Sequence, residues 1–122
     1  MTISEAIQQI DALKHNTCTL VEKLDWLSQL DGMVKVLILD THEGESRDFA
    51  FYTPQTPGDT QLLIPEEFSS AYRYWLEAQI DYVNGEYVRF NNASAMFGAV
   101  LKQFADHYHR THSPKNYRNQ FR

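Results

Sequence analysis

The chain has 122 residues, 16 acidic and 11 basic side chains for a formal net charge of −5, and one cysteine. That length suits one domain that buries roughly two-thirds of its unfolded surface, and 43% apolar with 13% aromatic content excludes a disordered or low-complexity chain. Cys18 has no partner thiol, which excludes a disulfide framework and a cysteine-based zinc knuckle and favours a reducing compartment.

Thr2-Ile3-Ser4-Glu5 reads as a capping box, and Ile3, Ala6, Ile7, Ile10 and Leu13 follow at helical spacing, so a short amphipathic helix is expected to about Lys14. His15-Asn16-Thr17 interrupts the pattern. Thr19-Leu20-Val21-Glu22 is a second capping box, and Leu20, Leu24, Leu27, Leu30, Val34, Leu37 and Ile38 predict a longer helix to about Leu39. Gly32 weakens that helix and Val34–Leu39 has the composition of a buried strand, but the spacing passes through Gly32 in phase.

From residue 40 to 64 helical periodicity is lost, and Thr53-Pro54 and Thr56-Pro57-Gly58-Asp59 mark turns. The expectation is an extended loop, or a short β-hairpin built from the alternating Phe49–Tyr52 and Gln61–Ile64 segments. A loop of that length within one domain is usually functional, which makes it the first candidate for partner contact.

Pro65-Glu66-Glu67 predicts a helix start, because Pro suits the first helical position and carboxylates suit the positive end of the helix dipole. Leu76, Ile80, Val83, Tyr87, Phe90, Ser94, Phe97, Leu101, Phe104 and Tyr108 then recur in a four–three rhythm, the pattern of a helix seam. One rod over that span would be about 64 Å long. Asn84-Gly85 is therefore read as a break, giving helices near 66–83 and 86–110, arranged as a hairpin or a kinked rod. Pro114 ends the last helix, and residues 114–122 form a flexible basic arm.

Charge is split along the chain. Residues 1–101 carry 15 acids against 6 bases, whereas residues 102–122 carry five bases and one acid. A basic arm on an acidic body suits docking on an acidic surface, and its contact with DNA would be nonspecific at most. The first thirty residues carry acids and glutamines where a secretion signal needs a basic segment and an apolar run, and no stretch is apolar enough to span a membrane, so no membrane partner is expected.

The sequence assembles no catalytic constellation. There is no nucleophile turn, phosphate loop or dinucleotide fingerprint, the helix carboxylates are spaced like solvated faces, and Cys18 reads as structural. His107, His109 and His112, beside Asp106, form the one cluster with metal-ligand character, but on a helix at most two of them converge. No catalytic, cofactor or metal residue is therefore assigned. Tyr74, Tyr82, Phe51 and Tyr52 lie off the seam, and such aromatics are typical interface anchors.

Trp26-Leu27-Ser28-Gln29-Leu30-Asp31-Gly32, Glu77-Ala78-Gln79-Ile80-Asp81-Tyr82-Val83-Asn84-Gly85-Glu86-Tyr87, Arg89-Phe90-Asn91-Asn92-Ala93-Ser94-Ala95-Met96-Phe97 and Arg110-Thr111-His112-Ser113-Pro114-Lys115 together carry a resemblance. Over about residues 20–115 the chain resembles a group of small proteins encoded in the structural cassettes of tailed phages and prophages of low-GC Gram-positive bacteria, departing from its pattern at Gly98, where a side chain such as Asn is usual. The resemblance implies a virion assembly component, located in the virion and in the host cytoplasm before assembly. By size and helical content it implies a head–tail connector, or adaptor, that self-associates in a ring and touches the portal or neighbouring head–tail proteins.

The expected fold is thus mainly α: one domain over residues 1–122, a small bundle of three to four helices with a long central loop. The expected function is non-enzymatic assembly through subunit and portal contacts, with a small phage-encoded regulatory or inhibitory binder of a host protein or nucleic acid as the alternative. The residues expected to carry contact are Phe51 and Tyr52 in the loop and Arg110, Lys115, Arg118 and Arg122 toward the arm.

Overall fold

A computed structural model of the chain describes residues 1–44 and 48–115. The protein is mainly helical, and the described residues form four α-helices: α1 (Ile3–Leu13), α2 (Leu20–Val34), α3 (Ser70–Val83) and α4 (Tyr87–Thr111). A π-helical turn, Lys35–Leu39, continues α2, and a short 3-10 turn, Glu66–Phe68, leads into α3.

Both capping boxes form. Thr2 accepts the Glu5 N–H while the Glu5 carboxylate accepts the Thr2 N–H, and Thr19 and Glu22 repeat the exchange at the start of α2. These reciprocal bonds satisfy amide donors that a helix start otherwise leaves open. Burial of Ile3, Ala6 and Ile10 then fixes the inner face of α1. Leu24, Leu27, Leu30 and Val34 do the same for α2.

Beyond Val34 the helix widens. The Asp40 amide bonds to the Lys35 carbonyl five residues back at 2.8 Å, so one residue is added to that turn and the apolar stripe rotates. Leu37, expected on the inner stripe, is consequently 67% exposed, and Val36 is 63% exposed. Helix is thus the right state for this segment, and its phase is what changes.

Asn84-Gly85 makes a hairpin, with Gly85 at φ +73°, a backbone conformation that glycine adopts without the Cβ penalty. The long seam therefore folds back on itself as the antiparallel pair α3 and α4. Trp75 meets Phe97 at 5.0 Å between ring centroids, and Phe68 meets Phe104 at 5.6 Å. Leu76, Ile80, Phe104 and Tyr108 are buried, whereas Val83 and Tyr87 sit exposed at the hairpin tip. Gly98 lies on an exposed stretch of α4 where an added Cβ would meet open space, so the missing side chain leaves packing undisturbed.

Among the described residues the connection between the π turn and α3 forms no β-hairpin; they contain isolated bridges, Thr2 with Gln61 and His42 with Pro114, and no sheet. It is nevertheless an anchored loop, with Tyr52, Leu62 and Ile64 entering the core. Ile3 and Ser4, whose amides open α1, donate to the Thr60 and Gly58 carbonyls at 3.1 and 2.9 Å, which pins the loop across the helix start. Among the described residues no helix is long and apolar enough to cross a membrane.

Candidate protein-contact surface

The loop is held from below by a buried polar centre. Asp31 and Ser28, one turn apart on α2, are both fully buried. Asp31 Oδ2 accepts from the Tyr52 hydroxyl at 2.5 Å and from the Leu63 amide at 3.0 Å, while Oδ1 accepts from the Tyr72 hydroxyl at 2.6 Å. The Tyr72 oxygen in turn accepts from the Ile64 amide at 2.7 Å, and Ser28 Oγ accepts from the Tyr52 amide at 2.8 Å. One carboxylate thus ties α2, the loop and α3 together, and a buried network of this kind is stable only when every member is paired. Burial first, and the neighbouring Asp31 carboxylate second, push the Tyr72 phenol far above its ordinary value.

Tyr52 is therefore a correction to the sequence reading: at 7% exposure, with its hydroxyl on Asp31, it holds the loop from inside and is no surface anchor. Phe51, the preceding residue, points the other way and is 64% exposed. Its ring lies against Phe49, 5.9 Å between centroids, and both rings pass over Gly32 at van der Waals distance from where a Cβ would stand. Alternation along an extended backbone sends neighbouring side chains to opposite faces, which explains why one ring enters and the next emerges.

On that outer side lies an open apolar groove of about 790 Å³, walled by Met33, Val36, Leu37, Phe49, Phe51 and Trp75. Trp75 is fixed by its indole N–H, which donates to the Trp26 carbonyl at 2.7 Å. Val36 and Leu37 reach the groove because the π turn rotates them out of the core. A second apolar patch caps the hairpin tip, where Tyr82 lies 5.8 Å from Tyr87 and 5.4 Å from Phe90. Contiguous exposed apolar surface of this kind is a candidate for contact with another surface.

The start of the arm is strapped to the body. Glu43 and Lys115 donate their amides to the Ser113 and Thr41 carbonyls at 2.7 and 3.0 Å, and His42 bridges Pro114. Arg110, in the last turn of α4, and Lys115 are exposed. The structure therefore brings Lys115 to the edge of the π turn that carries Val36 and Leu37, while Arg118, Arg122 and the rest of the expected arm lie outside the described residues.

The three histidines near the end of α4 face three different neighbours. His109 Nδ1 lies 3.1 Å from His42 Nε2, His112 stacks on Tyr108 at 3.8 Å, and His107 sits 5.5 Å from the Phe68 ring. His42 Nδ1 faces the Ile38 carbonyl at 2.8 Å and so carries a proton there, while Nε2 of the same ring faces His109 Nδ1. Among the described residues no group of three or more His, Cys, Asp or Glu side chains is placed to hold a metal ion. Burial raises the Cys18 thiol, with Glu22 adding to it, which disfavours the reactive thiolate.

Asp31, Ser28 and the groove were not singled out by the sequence reading as working residues. A signal for Asp31 was present, since it stands four residues after Leu27 and three before Val34, a carboxylate on the apolar face of its helix. The groove had none, because it depends on the π turn. Comparison of the chain with protein families, with curated proteins and with solved structures finds no match.

Proposed function

We propose that the chain works by binding protein surfaces, as a non-enzymatic component of tailed-phage head–tail joining of the connector type. The observation that carries the binding reading is the apolar groove, where Val36, Leu37 and Phe51 stand exposed side by side on a rigidly anchored loop and helix. The resemblance of residues 20–115 to the phage structural-cassette group supplies the setting. Two features support subunit contacts of the head-to-tail kind, which require two different complementary surfaces on each copy: the groove at one place and the exposed Tyr82, Tyr87 tip at another. The acidic body suits a component that lines a DNA passage without adhering to it.

The test is solution mass by light scattering over a concentration series, alone and with a candidate phage portal protein. A ring-sized species, or a fixed-ratio complex with the portal, is the expected result. A monomer indifferent to the portal at all concentrations contradicts the connector reading.

A further inference from the structure

We infer that His42 and His109 form a pH-sensitive latch, closed while one proton lies between their rings and opened when both rings are charged, that fixes the strap of residues 41–44 and 113–115 beside the π turn. The inference concerns the free chain and does not rest on the connector reading.

Three observations carry it. The first is the geometry of the pair. His42 Nε2 and His109 Nδ1 lie 3.1 Å apart, and the ring centroids are 5.4 Å apart at an interplanar angle of 82°. The two nitrogens therefore stand nearly on the line between the rings, which fits one shared proton. A metal ion held by both would draw the rings into a bent chelate instead. His42 is held in place from its other side, where Nδ1 donates to the Ile38 carbonyl at 2.8 Å. With both rings neutral, His109 Nδ1 donates to His42 Nε2, and with one ring charged the bond remains, whichever ring carries the charge. A second proton sets two N–H groups and two positive charges face to face, and the bond is lost.

The second is what the pair holds. His42 bridges Pro114, and the Glu43 and Lys115 amides on either side donate to the Ser113 and Thr41 carbonyls. Gly44 takes φ +139°, and a Cβ there would stand 3.0 Å from the His112 ring, so the chain passes close over the end of α4. The Thr41 hydroxyl donates to the Leu37 and Ile38 carbonyls at 3.2 and 2.9 Å. The latch thus steadies the end of the turn that carries Leu37, one wall of the groove, and acid loosens that wall.

The third is charge. The charged groups around the pair are Lys102, Asp106 and Arg110 on α4, Lys35 and Asp40 at the π turn, and Glu43 and Lys115 in the strap; His107 and His112 titrate beside them. Asp106 stands one turn before His109 and favours its charge, but Lys102 already holds that carboxylate at 2.7 Å, as Lys35 holds Asp40 at 3.0 Å. Among the described residues no carboxylate lies within ion-pair distance of either ring. The Tyr108 ring, which His42 meets edge-on at 5.2 Å, stays uncharged in acid, since burial raises its phenol. The second proton is therefore bound more readily with the strap open, so opening is favoured as pH falls through the histidine range.

The experiment follows exchange of the Glu43 and Lys115 amides by NMR in the full chain, expressed as protection relative to the intrinsic rate at each pH, in wild type, His109→Gln and His107→Gln. From about pH 7.5 to about pH 5, protection of both amides is expected to fall about tenfold in wild type and in His107→Gln, whose ring lies against Phe68, and to stay within about twofold in His109→Gln, where glutamine still bonds to His42 but takes no charge. The Leu30 amide inside α2 is expected to keep its protection throughout, which separates opening of the strap from global unfolding. Wild-type strap amides that are unprotected at the higher pH or equally protected at both, a fall of the same size in His109→Gln, or loss of Leu30 protection in step with the strap each overturns the proposal.

Discussion

Tyr52 and Phe51 are consecutive residues in opposite environments, and the two regions they enter invert the usual arrangement of a small domain. Beneath the loop, a carboxylate, a serine hydroxyl and two phenols are sealed from water around Asp31. Above it, valine, leucine and phenylalanine stand open to solvent. The buried polar centre sets the position of the loop, since a charge taken out of water holds its partners to a narrow geometry. The exposed apolar groove is what that positioning presents. The difference separates a region that maintains structure from the region proposed to bind, and substitutions should separate them too.

The largest effect is expected at Asp31. Asp31→Ala strands two tyrosine hydroxyls and the Leu63 amide as buried donors without their acceptor, which should cost about 3–5 kcal/mol. Denaturant unfolding measures it, and a loss of under about 1 kcal/mol would remove the network from the account. Tyr72→Phe should cost less, about 2 kcal/mol, because it removes one donor to Asp31 and one acceptor for the Ile64 amide while keeping the ring.

The same tyrosine predicts a loss of stability in alkali. Its phenol is raised in the folded state, so the folded form holds a proton that the unfolded form releases near pH 10. The Tyr72 contribution is complete below pH 10 and falls by about 1.4 kcal/mol per pH unit above it. Wild type should therefore lose stability above pH 10 more steeply than Tyr72→Phe, and parallel profiles of the two proteins would contradict this.

The smallest effect on stability belongs to the groove. Val36→Ser and Leu37→Ser change exposed side chains and should each leave unfolding within about 0.5 kcal/mol of wild type. A large loss at either position would mean that the groove is part of the core, and the contrast between the two regions would collapse.

What the sequence made legible was local. Thr2 with Glu5 and Thr19 with Glu22 form capping boxes within a single turn, and Asn84-Gly85 turns the chain because Gly85 takes a positive φ; neither depends on distant residues. The expectation of three to four helices and of a break at Asn84-Gly85 followed from these signals; that the break is a hairpin and not a kinked rod came from the structure. The loop was harder because what holds it lies far away in sequence, Tyr52 on Asp31 and Ile64 on Tyr72. The alternation at Phe49–Tyr52 suggested a strand, yet it reflects a backbone with one side chain anchored inward and no partner strand. Leu37 was misplaced for a similar reason, since a π turn shifts the phase of the apolar pattern without leaving a mark in composition. Of the expected contact residues, Phe51, Arg110 and Lys115 are exposed, Tyr52 is internal, and Arg118 and Arg122 fall outside the described residues.

The central claim is that the groove is a protein-contact surface, and the most direct measurement is a side-by-side titration of wild type and Val36→Ser/Leu37→Ser against the proposed partner, a phage portal protein, with thermal unfolding of both recorded. The account predicts affinity reduced about tenfold or more, as expected when apolar anchors at the centre of an interface are removed, with unfolding unchanged. Equal affinities in two equally stable proteins would contradict it.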